Sequence, residues 1–348
     1  MRRALALARR GVGRTSPNPA VGSVVVQGDR VVGEGWHQRA GEPHAEVVAL
    51  DRASARSRGA TLYATLEPCT HLGRTPPCVD AILAAGIARV VFATRDPDPR
   101  VNGRGAARLR EAGLEVTSGV LAAEAEALNR PFFKHIRTRL PWVTLKLALS
   151  LDGRVTVPGR RYLTGAMARR HVHRMRDEHD AVLVGIGTVL ADDPQLTVRD
   201  VRGRDPLRVV VDAEARTPPR APVVGNDGRA VVFVREGAHA DRVAALAAAG
   251  ARVVPIAPSD GGVDLRTALT WLDRHDVLSV LLEGGPTLAA SMLRAGLVDE
   301  ALFIYAPVVV GNAGLPALGE SLETIALQHT RVFRLGDDVA VQGLVPPD

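Results

Sequence analysis

The sequence predicts an α/β protein of two domains, and three observations support that prediction. The first is length, because 348 residues are more than twice the roughly 150 residues of a typical domain. The second is the alternation of short apolar runs with helical patterns, which is typical of sheets with helices on their faces. The third is a basic stretch over residues 131–140, predicted to be irregular, that separates two alternating regions. We therefore expect domains over residues 1–139 and 140–348.

The first domain is predicted to start with a short N-terminal helix and a β-hairpin. The hairpin consists of two apolar runs, residues 21–26 and 30–35, joined by Gln27-Gly28-Asp29, which is a turn signal. Later runs rich in β-formers predict strands, and the stretches between them predict helices. The strands are expected over residues 60–65, 89–94 and 114–117, and the helices over residues 44–53, 78–85, 106–112 and 122–129.

The second domain repeats the alternation. Its predicted strands span residues 142–149, 181–185, 207–212, 230–234, 252–256, 277–282 and 301–310, and its predicted helices span residues 168–178, 239–249, 264–272 and 288–295. Asp152-Gly153 is predicted to form a turn. Asp192-Asp193-Pro194 could supply a pair of metal-binding carboxylates, although a turn or helix-ending cluster is the more ordinary interpretation.

Both cysteines of the chain lie in one cluster of potential metal ligands. His44 and Glu46 are followed by Cys69 and Cys78, each preceded by proline. One imidazole and two thiolates leave a fourth position of Zn²⁺ open to water, as in catalytic zinc sites. This pattern is the signature of zinc deaminases, in which the glutamate moves protons and is not a ligand. A disulfide or two unliganded thiols are the alternatives.

The spacing of the cysteines departs from the commonest deaminase pattern, because eight residues separate them instead of two. The insertion places His71 and Arg74 beside the predicted metal. Cationic groups there would favour an anionic substrate such as a phosphate ester. Arg74 as an ordinary solvated side chain is the alternative.

A second candidate site follows the predicted strand at residues 277–282. The sequence Glu283-Gly284-Gly285-Pro286-Thr287 leads from that strand into a helix. Backbone N–H groups at a helix start bind phosphates, and proline suits the first turn. A plain tight turn is the alternative, and no Gly-x-Gly-x-x-Gly fingerprint follows the first strand.

Composition narrows the function classes. The chain is 46% hydrophobic and 24% charged, which is ordinary for a globular protein. Its apolar runs are too short for a membrane span or a signal peptide, so we expect a cytoplasmic protein. The net charge of +6 could favour binding of nucleic acid or of phosphorylated small molecules, or it could reflect compositional bias. Aromatic residues, however, make up only 3% of the chain. Stacking platforms for nucleic acid are therefore scarce.

Motifs along the whole chain, in order, resemble the RibD family of bifunctional riboflavin biosynthesis proteins. They lie at residues 15–22, 41–46, 65–78, 146–154, 188–194 and 283–287. The resemblance implies a cytidine-deaminase-like three-layer α/β/α domain followed by a dihydrofolate-reductase-like α/β domain. It also implies two consecutive reactions. The first is deamination of 2,5-diamino-6-(5-phosphoribosylamino)pyrimidin-4(3H)-one, and the second is NADPH reduction of the ribosyl group of 5-amino-6-(5-phosphoribosylamino)uracil to ribityl.

The resemblance assigns roles to individual residues. In the deaminase domain it makes His44, Cys69 and Cys78 the Zn²⁺ ligands, Glu46 the catalytic proton carrier, and Asn18, His37, His71 and Arg74 the substrate ligands. For NADPH it points to Ala148, Tyr162, Thr188, Asp192, Gly285, Pro286, Thr287, Leu288, Ala289, Ala290 and Ser291. For the reductase substrate it points to Arg160, Arg176, Leu196, Arg199 and Glu283. Arg160 and Ala213 stand where hydroxyl side chains are frequent in the family, and Arg216 is a candidate for the 2′-phosphate of NADPH from its charge alone.

The resemblance also implies phosphorylated pyrimidines as small-molecule partners, neither nucleic acid nor a membrane, and a homodimer or homotetramer. Three other functions fit parts of the sequence. A deaminase with a decayed reductase half would not oxidise NADPH, although the second-domain motifs argue against it. A nucleic-acid-editing deaminase would bind polynucleotides in a salt-sensitive way. A zinc-stabilised interaction module would be indifferent to Glu46→Gln.

Overall fold

The computed structural model describes residues 1–70, 76–259, 262–318 and 322–346. The chain forms two compact units, unit 1 over Met1–Arg139 and unit 2 over Leu140–Asp348. Each unit has its own sheet and its own apolar core. Within the described ranges, no helix combines the length and apolar character needed to cross a bilayer.

Unit 1 is built on a five-stranded mixed sheet with the order β2-β1-β3-β4-β5. β1 pairs antiparallel with β2 and β3, whereas β3, β4 and β5 run parallel. The strands are β1 Gly22–Gln27, β2 Arg30–Trp36, β3 Thr61–Leu66, β4 Arg89–Thr94 and β5 Glu115–Ser118. The helices are α1 Arg2–Ala8, α2 Ala45–Ala53, α3 Cys78–Ala84, α4 Arg104–Glu111, α5 Ala122–Leu128 and α6 Arg130–Thr138.

Side chains alternate across this sheet and divide its helices into two layers. Val25 packs with Leu50 of α2 and Leu109 of α4. The adjacent Val24 points to the other face and packs with Leu7 of α1, where α5 also contributes to the core. Successive strand residues face opposite sides, so unit 1 has three layers, and the expected α/β/α arrangement is confirmed.

Helix α6 corrects the prediction of an irregular segment over residues 131–140. Asn129 precedes the helix, Pro131 lies in its first turn, and Phe132 and Phe133 are its buried side chains. The basic residues of this stretch occupy the remaining faces of an amphipathic helix. The basic composition of this segment suggested an irregular structure, because only two adjacent apolar residues mark the buried face of the helix.

Unit 2 is built on a nine-stranded sheet with the order β10-β9-β8-β7-β13-β6-β14-β16-β15, and a separate two-stranded ribbon pairs β11 with β12. The first seven strands of this order run parallel, and β16 pairs antiparallel with both β14 and β15. The strands are β6 Trp142–Leu149, β7 Ala181–Gly185, β8 Leu207–Val211, β9 Ala230–Arg235, β10 Arg252–Ile256, β11 Pro258–Ser259, β12 Gly262–Val263, β13 Ser279–Leu282, β14 Glu300–Tyr305, β15 Gln328–Leu335 and β16 Asp338–Leu344. The helices are α7 Ala166–Glu178, α8 Ile186–Asp192, α9 Ala240–Ala248, α10 Leu265–Asp273 and α11 Pro286–Arg294.

Helices cover both faces of the unit 2 sheet. Leu269 of α10 and Met292 of α11 belong to one apolar cluster, and Met175 of α7 and Leu246 of α9 belong to another. The parallel strands therefore end at one shared edge, where α8 follows β7 and α11 follows β13. The carboxyl edge of such a sheet is where ligands bind in open α/β folds.

Four features of unit 2 differ from the sequence prediction. Helix α8 and the ribbon of β11 and β12 were not predicted, the strand expected to run to residue 310 ends at Tyr305, and the hairpin of β15 and β16 was missed. β15 lies at the sheet edge and is exposed at most positions, so it lacks the apolar alternation of a half-buried strand. Gly336, which has a φ of 74°, was the available turn signal.

Asp180 ties the start of β7 to the start of β13. Its Oδ2 accepts hydrogen bonds from the backbone N–H groups of Leu278 and Ser279, both at 3.0 Å, and from the Ser279 hydroxyl at 2.9 Å. The carboxylate is buried, and a buried donor left without its partner costs about 1–3 kcal/mol. Asp180→Ala is therefore expected to lower the free energy of unfolding of unit 2 by about 3 kcal/mol.

Urea denaturation followed by tryptophan fluorescence measures this loss, because Trp142 and Trp271 both lie in unit 2. The matched control is Asp241→Ala, since Asp241 is an exposed acidic residue in the first turn of α9. The control should cost less than about 1 kcal/mol. Equal losses for the two variants would show that Asp180 does not hold the two strands together.

Candidate active sites

His44, Cys69 and Cys78 come together in unit 1. Nδ1 of His44 lies 3.0 Å from Sγ of Cys78 and 3.5 Å from Sγ of Cys69, and the three ligand atoms all lie within 4.8 Å of one another. His44 immediately precedes α2, Cys69 follows β3, and Cys78 opens α3. The ligands therefore sit at element ends, and a helix start favours the anionic form of a thiol.

The chemistry of these donors fits a zinc ion. Both cysteines are free and buried, so the disulfide alternative is wrong. The backbone N–H of Cys78 donates to Sγ of Cys69 at 3.3 Å, and hydrogen bonding from Cys78 lowers the pKa of the Cys69 thiol to about 4. One imidazole and two sulfurs, one of them already a thiolate at neutral pH, match the donor set of a catalytic zinc site.

Glu46 lies in the first turn of α2, two residues after His44. Its side chain is buried, and burial raises the pKa of its carboxyl above the ordinary value. A carboxyl that takes up a proton readily, placed beside the predicted metal ligands, is suited to general acid/base chemistry.

Asn18 and His37 form a fixed polar pair beside His44. Nδ2 of Asn18 donates to Nε2 of His37 at 3.0 Å, and Nδ1 of His37 donates to the carbonyl of Pro43 at 3.2 Å. Burial lowers the pKa of His37, so the neutral ring with its proton on Nδ1 is favoured. The rings of His37 and His44 meet edge to face with centroids 5.4 Å apart. His71 and Arg74 lie outside the described residues.

Sequence reasoning gave no role to two acidic residues near this site. Glu67 accepts hydrogen bonds from the backbone N–H groups of Gly103 at 2.9 Å and Ala106 at 3.0 Å, and so fixes the start of α4. Asp96 is buried in the loop after β4, and burial raises the pKa of its carboxyl to about 7. Val101, which lies in the same loop as Asp96, packs with both cysteines. Glu67 lies within the motif over residues 65–78, but its hydrogen-bond donors are 36 and 39 residues away in the sequence. The spacing of residues within one motif does not indicate contacts over such separations.

Unit 2 contains a cavity of about 1740 Å³ at the carboxyl edge of its sheet. This volume exceeds the roughly 300–1,000 Å³ of a typical small-molecule pocket, so it has room for a cofactor and a substrate together. At its wall, Gly285 precedes α11 and Pro286 opens the helix. A Cβ on Gly284 would lie 3.1 Å from the Cδ2 atom of Leu288, so this turn packs closely against α11. The free N–H groups of the helix start fit a phosphate.

A cluster of buried charges lines this cavity. Nε and Nη2 of Arg176 donate to the two carboxylate oxygens of Glu283 at 2.6 and 3.1 Å. Nζ of Lys146 lies 3.2 Å from Oε2 of Glu283. Burial acts to raise the pKa of Glu283, but the charges of Arg176 and Lys146 outweigh it and hold the pKa at about 2. Two cations and one carboxylate leave a net positive charge, which suits an anionic substrate.

The structure places most of the predicted reductase residues around this cavity. Those that line it are Ala148, Tyr162, Thr188, Asp192, Gly285, Pro286, Thr287, Leu288, Ser291, Arg176, Leu196, Arg199 and Glu283. Ala289 and Ala290 are instead buried, and Arg160 is exposed and is not a lining residue. Sequence reasoning missed Lys146, although a lysine within the otherwise apolar strand β6 was an available signal.

The acidic pair Asp192-Asp193 marks the end of a helix. Asp192 is the last residue of α8, and Asp193 follows it with a left-handed φ of 43°. Within the described part of the chain, His44, Cys69 and Cys78 form the one group with metal-site spacing. The helix-ending interpretation of the pair is therefore the one that fits.

Comparisons with known proteins relate both units to characterised families. Residues 141–341 match the family model of the RibD C-terminal domain, and residues 1–94 match the cytidine and deoxycytidylate deaminase zinc-binding region. The riboflavin biosynthesis protein RibD of Escherichia coli K12 is 41% identical, covering 98% of this chain and 97% of that protein.

Solved structures agree with these sequence matches. A structure of Acinetobacter baumannii RibD is 37% identical with a TM-score of 0.89, covering 99% of this chain and 97% of its own. A Thermotoga maritima structure described as a diaminohydroxyphosphoribosylaminopyrimidine deaminase and 5-amino-6-(5-phosphoribosylamino)uracil reductase is 36% identical with a TM-score of 0.86. It covers 100% of this chain and 97% of its own. The similarity therefore extends over both units.

Proposed function

The chain belongs to the RibD family of bifunctional deaminase–reductases of riboflavin biosynthesis, and from this we propose that unit 1 carries the deaminase and unit 2 the NADPH-dependent reductase. Unit 1 would remove the 2-amino group of 2,5-diamino-6-(5-phosphoribosylamino)pyrimidin-4(3H)-one. Unit 2 would reduce the ribosyl group of the resulting 5-amino-6-(5-phosphoribosylamino)uracil to ribityl. The observation that carries the proposal is the convergence of one imidazole and two free thiols beside the buried Glu46.

In unit 1, His44, Cys69 and Cys78 would hold Zn²⁺, which when bound supplies water of lowered pKa for attack on an amine-bearing ring carbon. Glu46 would accept a proton on its carboxylate and return it to the departing nitrogen. Burial raises the pKa of the Glu46 carboxyl, which favours uptake of the proton that this role requires. The Asn18–His37 pair presents fixed hydrogen-bonding groups that would orient the pyrimidine.

In unit 2, NADPH when bound supplies a hydride, so the protein must mainly orient the two reactants. The start of α11 would hold the pyrophosphate of the cofactor. Arg176 and Arg199 would bind the phosphorylated substrate, while Glu283 and Lys146 position its sugar. Arg176 is already fixed because its Nη1 donates to the carbonyl of Thr197 at 3.0 Å, which makes it a preorganised ligand.

The cellular location and the partners of the enzyme are also inferred from its chemistry. Because both ligand thiols must stay reduced, we infer a cytoplasmic location. Phosphorylated pyrimidines as partners agree with the net positive charge beside Glu283. A homodimer or homotetramer stays a prediction.

Zinc quantification combined with two activity assays tests the proposal. The purified protein should contain about one zinc per chain, release ammonia from the diaminopyrimidine substrate, and oxidise NADPH once the deaminated product is present. Ammonia release without NADPH oxidation would identify a deaminase with a decayed reductase half. Bound zinc without ammonia release, or deamination of a polynucleotide instead, would overturn the proposal in favour of an interaction module or an editing enzyme.

A further inference from the structure

The segment that follows α8 is held against α7 by two hydrogen bonds. It spans residues 194–200 and carries Arg199, a proposed ligand of the phosphorylated substrate. Nη1 of Arg176 donates to the carbonyl of Thr197 at 3.0 Å. The backbone N–H of Arg199 donates to Nδ1 of His173 at 2.9 Å. His173 and Arg176 are three residues apart on α7, so one face of that helix holds the segment.

Side chains, rather than a helix or a strand, bind the N–H groups at the end of this segment. Besides the bond from Arg199 to His173, the backbone N–H of Val198 donates to Oδ1 of Asp205 at 2.6 Å. Leu196 is buried with a φ of 56°, in the left-handed region that a residue with a side chain seldom adopts. Such a conformation persists where the surroundings enforce it. The path of the segment therefore depends on the side chains that hold it.

The guanidinium of Arg199 is oriented by its own segment. Its Nη1 donates to Oε1 of Gln195 at 2.8 Å and to Oγ1 of Thr197 at 2.9 Å. Both acceptors are uncharged, so these bonds orient the guanidinium without neutralising it. Arg199 is exposed and lines the cavity. The position of its charge at the cavity wall therefore follows the position of the segment's backbone.

His173 can hold the segment only as a neutral imidazole. A backbone N–H is a donor, so Nδ1 must accept, and the ring proton is on Nε2, which lies 3.7 Å from Oδ2 of Asp200. His173 is buried. Burial and the charges of Arg176 and Arg199 lower its pKa, and the carboxylates of Asp200 and Glu283 offset this only in part. The neutral ring is therefore the form present at neutral pH.

We propose that neutral His173 is a positioning residue of the reductase, which accepts the backbone N–H of Arg199 and so places that arginine at the cavity wall for the substrate phosphate. The inference rests on the proposed reductase function. A guanidinium held in place before the substrate arrives loses less freedom on binding a phosphate than a mobile one. An imidazolium carries a proton on Nδ1, so protonation of His173 would break this bond and release the segment.

Two substitutions in the full-length protein separate the acceptor from the shape of the ring. His173→Leu removes the acceptor, whereas the side-chain oxygen of His173→Asn lies as many bonds from the backbone as Nδ1 and can replace it. His173→Leu should raise the KM of the deaminated substrate about 10-fold, with kcat and the KM of NADPH changed by less than about threefold. A rise in KM alone is the signature of lost substrate binding. His173→Asn should restore the KM to within about threefold of the wild type.

A double-variant cycle tests whether His173 acts through Arg199. In an Arg199→Met background, His173→Leu should change the substrate KM by less than about twofold, because the arginine that it positions is gone. A further 10-fold rise would show that His173 does not act through Arg199 and would overturn the proposal.

The pH dependence of the substrate KM distinguishes a positioning role from a packing role. In the wild type the KM should rise as the pH falls below about 6.5, the ordinary pKa of histidine, because protonated His173 cannot accept from Arg199. The substrate phosphate also gains a proton near pH 6, and this adds the same rise to every variant. His173→Asn has no imidazole to protonate, so its KM should rise less. Equal rises in the two proteins would overturn the proposal, even if His173→Leu does not fold.

His171→Leu is the matched control, since His171 lies two residues away on α7, packs against Phe333 and does not line the cavity. It should leave both KM values unchanged, and near-UV circular dichroism reports whether each variant is folded. A wild-type KM in folded His173→Leu, or equal losses in His173→Leu and His173→Asn, would overturn the role of His173 alone. Wild-type protein that does not oxidise NADPH with the deaminated substrate would overturn the reductase function itself.

Discussion

Glu46→Gln is expected to reduce deamination by roughly 10²- to 10⁴-fold, the usual contribution of general acid/base catalysis, while the protein keeps its zinc. Glutamine has the same shape as glutamate but cannot carry a proton. The three atoms that converge at the metal site belong to His44, Cys69 and Cys78, so the substitution removes no ligand. Ammonia release measures the loss, and metal quantification measures zinc retention.

The bifunctional architecture supplies an internal control for this variant. NADPH oxidation with the deaminated substrate should be unchanged, because the charges proposed for reduction lie in unit 2. Asp51→Asn removes the same charge from an exposed position of α2 and should leave both activities intact. Loss of zinc from Glu46→Gln would instead make Glu46 a part of the metal site, and near-normal ammonia release would exclude it as the proton carrier.

The deaminase site was predictable because its ligands lie on consecutive elements. His44 immediately precedes α2, Cys69 follows β3 and Cys78 opens α3, so short connections bring them together and leave a pattern in the sequence. The hydrogen bonds that hold the surrounding segments in place left no such pattern in the sequence. Glu67 meets the backbone N–H of Gly103 only because β3 and β4 pair and α4 packs beside them.

The reductase site was predictable only in part, for the same reason. The apolar runs located most parallel strands, but no local pattern shows that β13 inserts between β7 and β6. That insertion brings Glu283 to Arg176, which is 107 residues away, and to Lys146. Sequence reasoning found Arg176 and Glu283 through family resemblance and missed Lys146, because the contact depends on tertiary pairing.

Removing the Arg176 cation is expected to damage both the stability of unit 2 and its reductase activity. In Arg176→Met, the buried Glu283 carboxylate would keep only Lys146 as a partner. Breaking a buried ion pair by deleting one member costs about 3–5 kcal/mol. The loss of a preorganised substrate ligand should lower the kcat/KM of NADPH oxidation by about 100-fold or more. Urea denaturation and steady-state kinetics measure the two effects, and Arg170→Met, at an exposed position of α7, is the control.

The pH dependence of stability provides a second measurement of the same pair. Glu283 in the folded protein has a pKa of about 2, below the roughly 4.3 of an unfolded glutamate. Its stabilising contribution is therefore fully present above about pH 4.3 and is lost as the pH falls toward about 2. Arg176→Met should weaken this dependence, because the folded-state pKa moves back toward its ordinary value. An unchanged dependence would show that Arg176 does not hold the carboxylate ionised.

A triple variant separates the structural role of these charges from their functional role. Replacing all three members, as in Arg176→Met with Glu283→Gln and Lys146→Met, leaves no unpaired buried charge, so most of the lost stability should return. Reductase activity should stay low, because none of the three proposed substrate ligands is present. Recovery of both stability and reductase activity would show that these charged residues contribute to packing and not to the reaction. Recovery of stability alone would show that unit 2 keeps these buried charges for the reaction and not for the fold.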